Sequence, residues 1–112
     1  MRPERRRGQE LLDQLAEAYD GVPGVDRAAM FGSEALRVLS RGEPKVFAFV
    51  GREGELVVKL PGPRVKELRA GDGREVRVGR NPAREWVGLP YSDDPQRWRD
   101  LLAEAHAFVG GA

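Results

Sequence analysis

Cysteine and threonine are absent from this 112-residue chain, histidine and asparagine occur once each (His106, Asn81), and serine three times (Ser33, Ser40, Ser92). Without cysteine there is no disulfide, no thiolate metal site and no cysteine nucleophile. Nucleophilic catalysis usually sets a hydroxyl or thiol beside a base, and metal centres draw on several imidazoles or carboxylates. Here the single histidine stands 14 positions beyond the nearest serine, inside the last helical stretch. A triad or a histidine-rich metal centre therefore has no basis in the sequence, whereas 18 acidic residues leave a carboxylate-only site open. No catalytic residue, cofactor or metal is implied. No run approaches the ~20 apolar residues of a membrane span, and no apolar signal region follows the basic start. A cytoplasmic protein without membrane contact is the expectation.

What is present is enough for one domain of 12.4 kDa with a core of its own. The net charge of +1 hides an uneven distribution. Residues 1–7 are basic through Arg2, Arg5, Arg6 and Arg7 against Glu4 and contain no apolar residue after Met1. They read as a disordered basic arm. Residues 64–84 hold the densest basic stretch, with Arg64, Lys66, Arg69, Arg74, Arg77, Arg80 and Arg84 interrupted by Glu67, Asp72 and Glu75. That cluster is either a phosphate-binding patch or a solvated, salt-bridged surface. Sixteen arginines against three lysines fit a GC-rich coding sequence as readily as a function.

From Gln9 onward, Leu11, Leu12, Leu15, Ala18, Tyr19 and Val22 share one helical face. Gly21 and Pro23 end that helix near Asp20. Ala28–Ser33 reads as a short linking element containing Met30-Phe31-Gly32. Leu36–Leu39, Val46–Val50 and Leu56–Leu60 read as an antiparallel three-strand meander, the middle strand apolar at every position. Pro63 opens a short helix carrying Val65 and Leu68. Glu75–Val78 alternates valines with charges, and Glu85–Leu89 is a fifth strand. The last helix is the clearest, with Asp94 as N-cap, Pro95 at its first position, and Trp98, Leu101, Leu102, Ala105, Phe108 and Val109 on one face. The expected fold is α+β in two layers. A five-stranded antiparallel sheet carries helices on one face, in the order α-β-β-β-α-β-β-α, over residues 8–112 as a single domain.

With that order in place, the chain resembles the N-terminal domain of the TfoX (Sxy) family of competence-regulator-like proteins, from about Arg27 to Val109. The resemblance rests on Met30-Phe31-Gly32, Phe47-Ala48, Leu56 through Lys59, Gly79-Arg80 ahead of Glu85-Trp86-Val87, and the closing helix with Ala105. Two departures stand out. Family members commonly continue Met-Phe-Gly with further glycines and an aromatic, where Ser33-Glu34-Ala35 follows here. Full-length competence regulators also carry a second, helical domain. The resemblance implies a two-layer fold and a non-enzymatic, regulatory role, and it carries over no catalytic residue.

Three readings of the middle strand follow. If Val46, Ala48 and Val50 face the helices, Phe47 and Phe49 lie on the open sheet face beside Arg37, Lys59 and Arg77. Aromatics among basic groups on an open sheet stack bases and neutralise phosphates in single-strand nucleic-acid binders. In the second reading the phenylalanines point inward. In the third a second copy of the chain, or another protein, covers an apolar open face. Met30, Phe31 and Trp86 are a candidate ligand groove, against a plain role plugging the core. The expected function is a non-catalytic binding or regulatory module acting through a homodimer or protein contact. Nucleic-acid binding is the alternative, and a small-ligand binder or enzyme the third.

Overall fold

The computed structural model describes residues 2–30 and 32–111. Its first helix, α1, spans Pro3–Ala16 and runs on into a 3-10 turn at Glu17–Tyr19. Leu12, Leu15 and Ala16 bury its apolar face, as their spacing requires. The start lies six residues earlier than hydropathy indicates, so the segment expected as a disordered arm is helical from Pro3. The cause is a backbone contact rather than a hydrophobic one. A Cβ at Gly8 would lie 2.4 Å from the Gly54 carbonyl oxygen, and a Cβ at Gly54 would lie 2.1 Å from that of Glu4. Helix and loop touch main chain to main chain, an approach open to glycine alone.

The strands β1 (Val25–Met30), β2 (Ser33–Ser40), β3 (Glu43–Val50) and β4 (Leu56–Lys59) form a meander. Helix α2 (Gly62–Arg69) crosses to the hairpin of β5 (Arg74–Val78) and β6 (Asn81–Leu89), and α3 (Gln96–Gly110) closes the chain. All six strands pair antiparallel in the order β1-β2-β3-β4-β6-β5. The expected five-stranded sheet thus gains a strand. Val25–Met30 has no fully buried side chain and sets the adjacent charges Asp26-Arg27 before Ala28-Ala29, with no period-2 apolar pattern, which gives an edge strand little hydropathy signal. Met30 accordingly ends the first strand, opposite Ser33, rather than preceding it. Phe31 itself lies outside the described residues, as does the side chain of Val78.

All three helices cover one face, and their apolar residues share a single cluster with the inward side chains of β2, β3, β4 and β6. Trp98 of α3 is fully buried there, and its indole N–H donates to the Pro90 carbonyl at 3.1 Å. Pro95 has helical angles (φ −73°, ψ −10°), and the Asp94 carboxylate accepts the Gln96 N–H at 3.0 Å. The cap therefore acts from Asp94 one residue ahead of the regular helix.

The middle strand resolves its own puzzle with a bulge. Leu36 pairs with Ala48 but Arg37 pairs with Val46, so Phe47 has no partner on β2. The extra residue shifts the pleat. Phe47, Ala48 and Val50 all lie in the core at 0% exposure, while Val46 and Phe49 turn to the other face. The two phenylalanines part company, one inward and one outward.

Candidate binding face

The helix-free face is built in rows set by the strand register. Ala28, Ala35, Phe49, Val57 and Gly88 form one row across five strands. Beside it Asp26, Arg37 and Val46 align across β1–β3, and Lys59 pairs with Trp86 across β4 and β6. No helix covers this side, yet Val57 is 4% exposed. The rings of Phe49 on β3 and Trp86 on β6 meet over the intervening strand, centroids 5.7 Å apart and planes inclined at 58°. They roof Val57 and remain half-buried themselves. The Lys59 ammonium lies 5.9 Å from the Trp86 ring centre, at the outer reach of a cation–π contact. Gly88 leaves room beside Val57, and the Glu55 side chain folds over it, its carboxylate accepting the Glu53 N–H at 3.0 Å.

Of the residues singled out from sequence, this face gathers Arg37, Phe49, Lys59 and Trp86. Phe47 is not among them. It packs inward, its ring 6.0 Å from Tyr19 and 5.6 Å from His106, and burial pushes the Tyr19 hydroxyl pKa up. Arg77 is also elsewhere, beyond a slip in the β5–β6 ladder, where it donates to the Arg80 carbonyl at 3.0 Å and pairs with Glu75. Met30 and Trp86 share no groove, because three strands stand between β1 and β6, roughly 19 Å at the usual strand spacing. Arg37 is on the face but already engaged. It holds Asp26 through two hydrogen bonds of 2.9 and 2.6 Å, which keep the Asp26 carboxyl below the usual carboxylate range.

The face runs at its loop end into arginines that hydropathy periodicity did not indicate. A cavity of about 520 Å³ is lined by Arg2, Arg5, Gly32 and Arg52. Beside it a second, of about 360 Å³, is lined by Arg5, Phe49, Val50, Gly51 and Arg52. Arg5 and Arg52 thus border both, and Phe49 links the arginines to the aromatic strip. No carboxylate lines either cavity among the described residues. The signal available in sequence was the basic start read as a helix: Pro3 at its first position brings Arg2 and Arg5 to one end of α1.

Comparison with protein-family models, with curated proteins and with solved structures gives no match to this chain. The fold and face define an α+β domain whose one uncovered sheet surface joins two aromatic rings to basic groups. No helix among the described residues is long and apolar enough to cross a membrane.

Proposed function

We propose that this chain is a non-catalytic binding module that holds single-stranded nucleic acid on its helix-free sheet face. The observation that carries the reading is the Phe49–Trp86 ring pair with Lys59 beside it, continuous with the arginine-lined loop end. Every base offers a π-face to such rings, so stacking on them requires no sequence code, and the cations follow the phosphates. Membership of the TfoX N-terminal family and a cytoplasmic location belong to the same proposal, resting on the motifs quoted above. Self-association through this face is the weaker reading. Among the described residues Leu39, at 51% exposure, is the exposed large hydrophobic side chain, and an obligate dimer needs a broad apolar core.

The test is fluorescence anisotropy with a labelled pyrimidine strand of about 12 nucleotides across a salt series. We expect micromolar binding whose log affinity falls with log salt at a slope near −2 to −3, as for three or four phosphate contacts. Phe49→Ala should weaken it about tenfold, in the range of one lost stacking platform. No binding at 50 mM salt, with sedimentation showing a dimer, would replace the nucleic acid by a second copy of the chain.

A further inference from the structure

We propose that the outer edge of β1 is a docking site for an extended basic segment of a partner protein. The segment adds to the sheet as a further strand and sets a lysine or arginine side chain into the cavity beside the 3-10 turn. This site is separate from the aromatic strip and does not rest on the function proposed above.

The first argument is the backbone. Among the described residues β1 stands at one end of the sheet and pairs with β2 alone. The Leu39 N–H donates to the Gly24 carbonyl at 2.9 Å, which makes Gly24 and Leu39 a hydrogen-bonded pair just ahead of the ladder. Alternation in an antiparallel ladder then turns the N–H and C=O groups of Asp26, Ala28 and Met30 toward β2, and those of Val25, Arg27 and Ala29 away from it. The Val25 N–H is taken up by the Val22 carbonyl at 3.2 Å, so Arg27 and Ala29 present the open donors and acceptors. Natural sheets blunt such edges with bulges, prolines or charge. The opposite edge does so: β5 slips register between Glu75 and Arg77, and three of its five residues are charged. β1 keeps one register over six pairs, has no proline, and holds its two charges within the chain, Asp26 on Arg37 and Arg27 on Glu34.

The second argument concerns the occupant. An added strand sends every second side chain to the helix side, where β1 borders a cavity of about 280 Å³. Val25, Leu36 and Tyr19 give it an apolar wall, and Asp20 and Asp26 supply carboxylates beside Arg27. That combination suits the aliphatic stem and charged head of lysine or arginine. The edge has the matching sign. Asp13, Asp20 and Glu34 lie 3.9, 3.5 and 3.4 Å from the one Arg27 guanidinium. Three carboxylates on a single cation leave negative charge over, and residues 8–34 as a whole hold six acidic residues against that one arginine. A second copy of β1 would bring the same negative edge against itself, so charge favours a basic partner over self-pairing.

The experiment titrates the intact chain with two labelled peptides of about eight residues, one alternating lysine with threonine and one alternating glutamate with threonine. Anisotropy reads affinity, and amide hydrogen exchange by NMR reads the edge. We expect the lysine peptide to bind and to slow exchange at the Arg27 and Ala29 amides about tenfold, with the amides of β5 unaffected. Asp20→Lys should weaken binding about tenfold. Ala29→Pro removes an N–H that faces away from β2, a place where an edge strand tolerates proline. It should keep the melting temperature of the parent chain and lose the peptide. Equal binding of the glutamate peptide, or lysine-peptide binding that leaves exchange at Arg27 and Ala29 unchanged, would overturn strand addition at this edge. No binding by either peptide would overturn the basic partner. A dimer in sedimentation that Ala29→Pro dissociates would then give the edge to a second copy of the chain.

Discussion

Two basic regions of this molecule differ in a way that local charge density does not reveal. The stretch 64–84 is the richest in arginine and lysine, and four of its seven cations reach a carboxylate, whereas Lys66, Arg80 and Arg84 have no ion pair among the described residues. Arg64 forms two hydrogen bonds to Glu104 of α3, Arg69 and Arg77 share Glu75, and Arg74 reaches Glu53 in the β3–β4 loop. The loop end holds fewer basic residues, contributed by α1 and by the β3–β4 loop, and no carboxylate lines their cavity. Positive potential is a property of what the fold fails to neutralise rather than of how many arginines a segment carries. Within and beside the dense region, ion pairs of Arg64 with Glu104, Arg69 with Glu75 and Arg97 with Asp72 tie α2, β5 and α3 together.

The sharpest way to break this contrast is to separate α1 from the loop. Alanine at a helix interior position normally stabilises relative to glycine by about 0.5–1 kcal/mol. At Gly8 the sign should reverse, because the added Cβ meets the Gly54 carbonyl at 2.4 Å, and backbone must move to admit it. We expect Gly8→Ala to cost about 2–3 kcal/mol, a fall in Tm of roughly 10 °C. Thermal melts check this. A more stable Gly8→Ala protein would mean that α1 does not seat on the loop.

A smaller effect tests the paired region. Arg97 hydrogen-bonds Asp72, and that contact, with a lesser coulombic contribution, holds the Asp72 carboxyl below its ordinary pKa. A carboxylate depressed in the folded state adds stability above the unfolded value, near 3.9, and loses it as pH falls through the depressed folded value. Asp72→Asn should therefore flatten the decline in stability below about pH 4, while costing less than about 1 kcal/mol at pH 7 because the pair is exposed. Urea denaturation at a series of pH values down to 2.5 measures the slope. An unchanged slope would mean the pair is not held in solution, and the contrast between neutralised and open arginines would weaken.

How much of this was written plainly in the sequence depends on the kind of contact involved. Elements defined by side-chain burial were legible: the faces of α1 and α3, strand β4, the Glu85–Leu89 half of β6, and the Asp94 cap, whereas the exposed first residues of β6, from Asn81, were not. Elements defined by backbone were not. The first helical turns rest on Gly8 against Gly54, and neither glycine enters a hydropathy pattern. Strand β1 is held by its ladder to β2 with no side chain fully buried. The bulge at Phe47 turned an all-apolar strand into two half-strands of opposite phase, which no period-2 reading assigns. The face itself was half legible for the same reason. Phe49, Lys59, Arg37 and Trp86 follow from strand alternation, whereas the arginine cavity depends on a helix whose docking is invisible to it.

The smallest expected effect concerns the backbone of a turn. Arg41 and Gly42 form the two-residue turn between β2 and β3, and both have positive φ, 54° and 80°. Such a turn suits Asn-Gly, and an arginine in the left-handed region is strained by about 1 kcal/mol. Arg41→Asn should raise stability by about 0.5–1 kcal/mol. Denaturant melts measure the change. Equal or lower stability would mean that the left-handed conformation at Arg41 costs nothing an asparagine relieves.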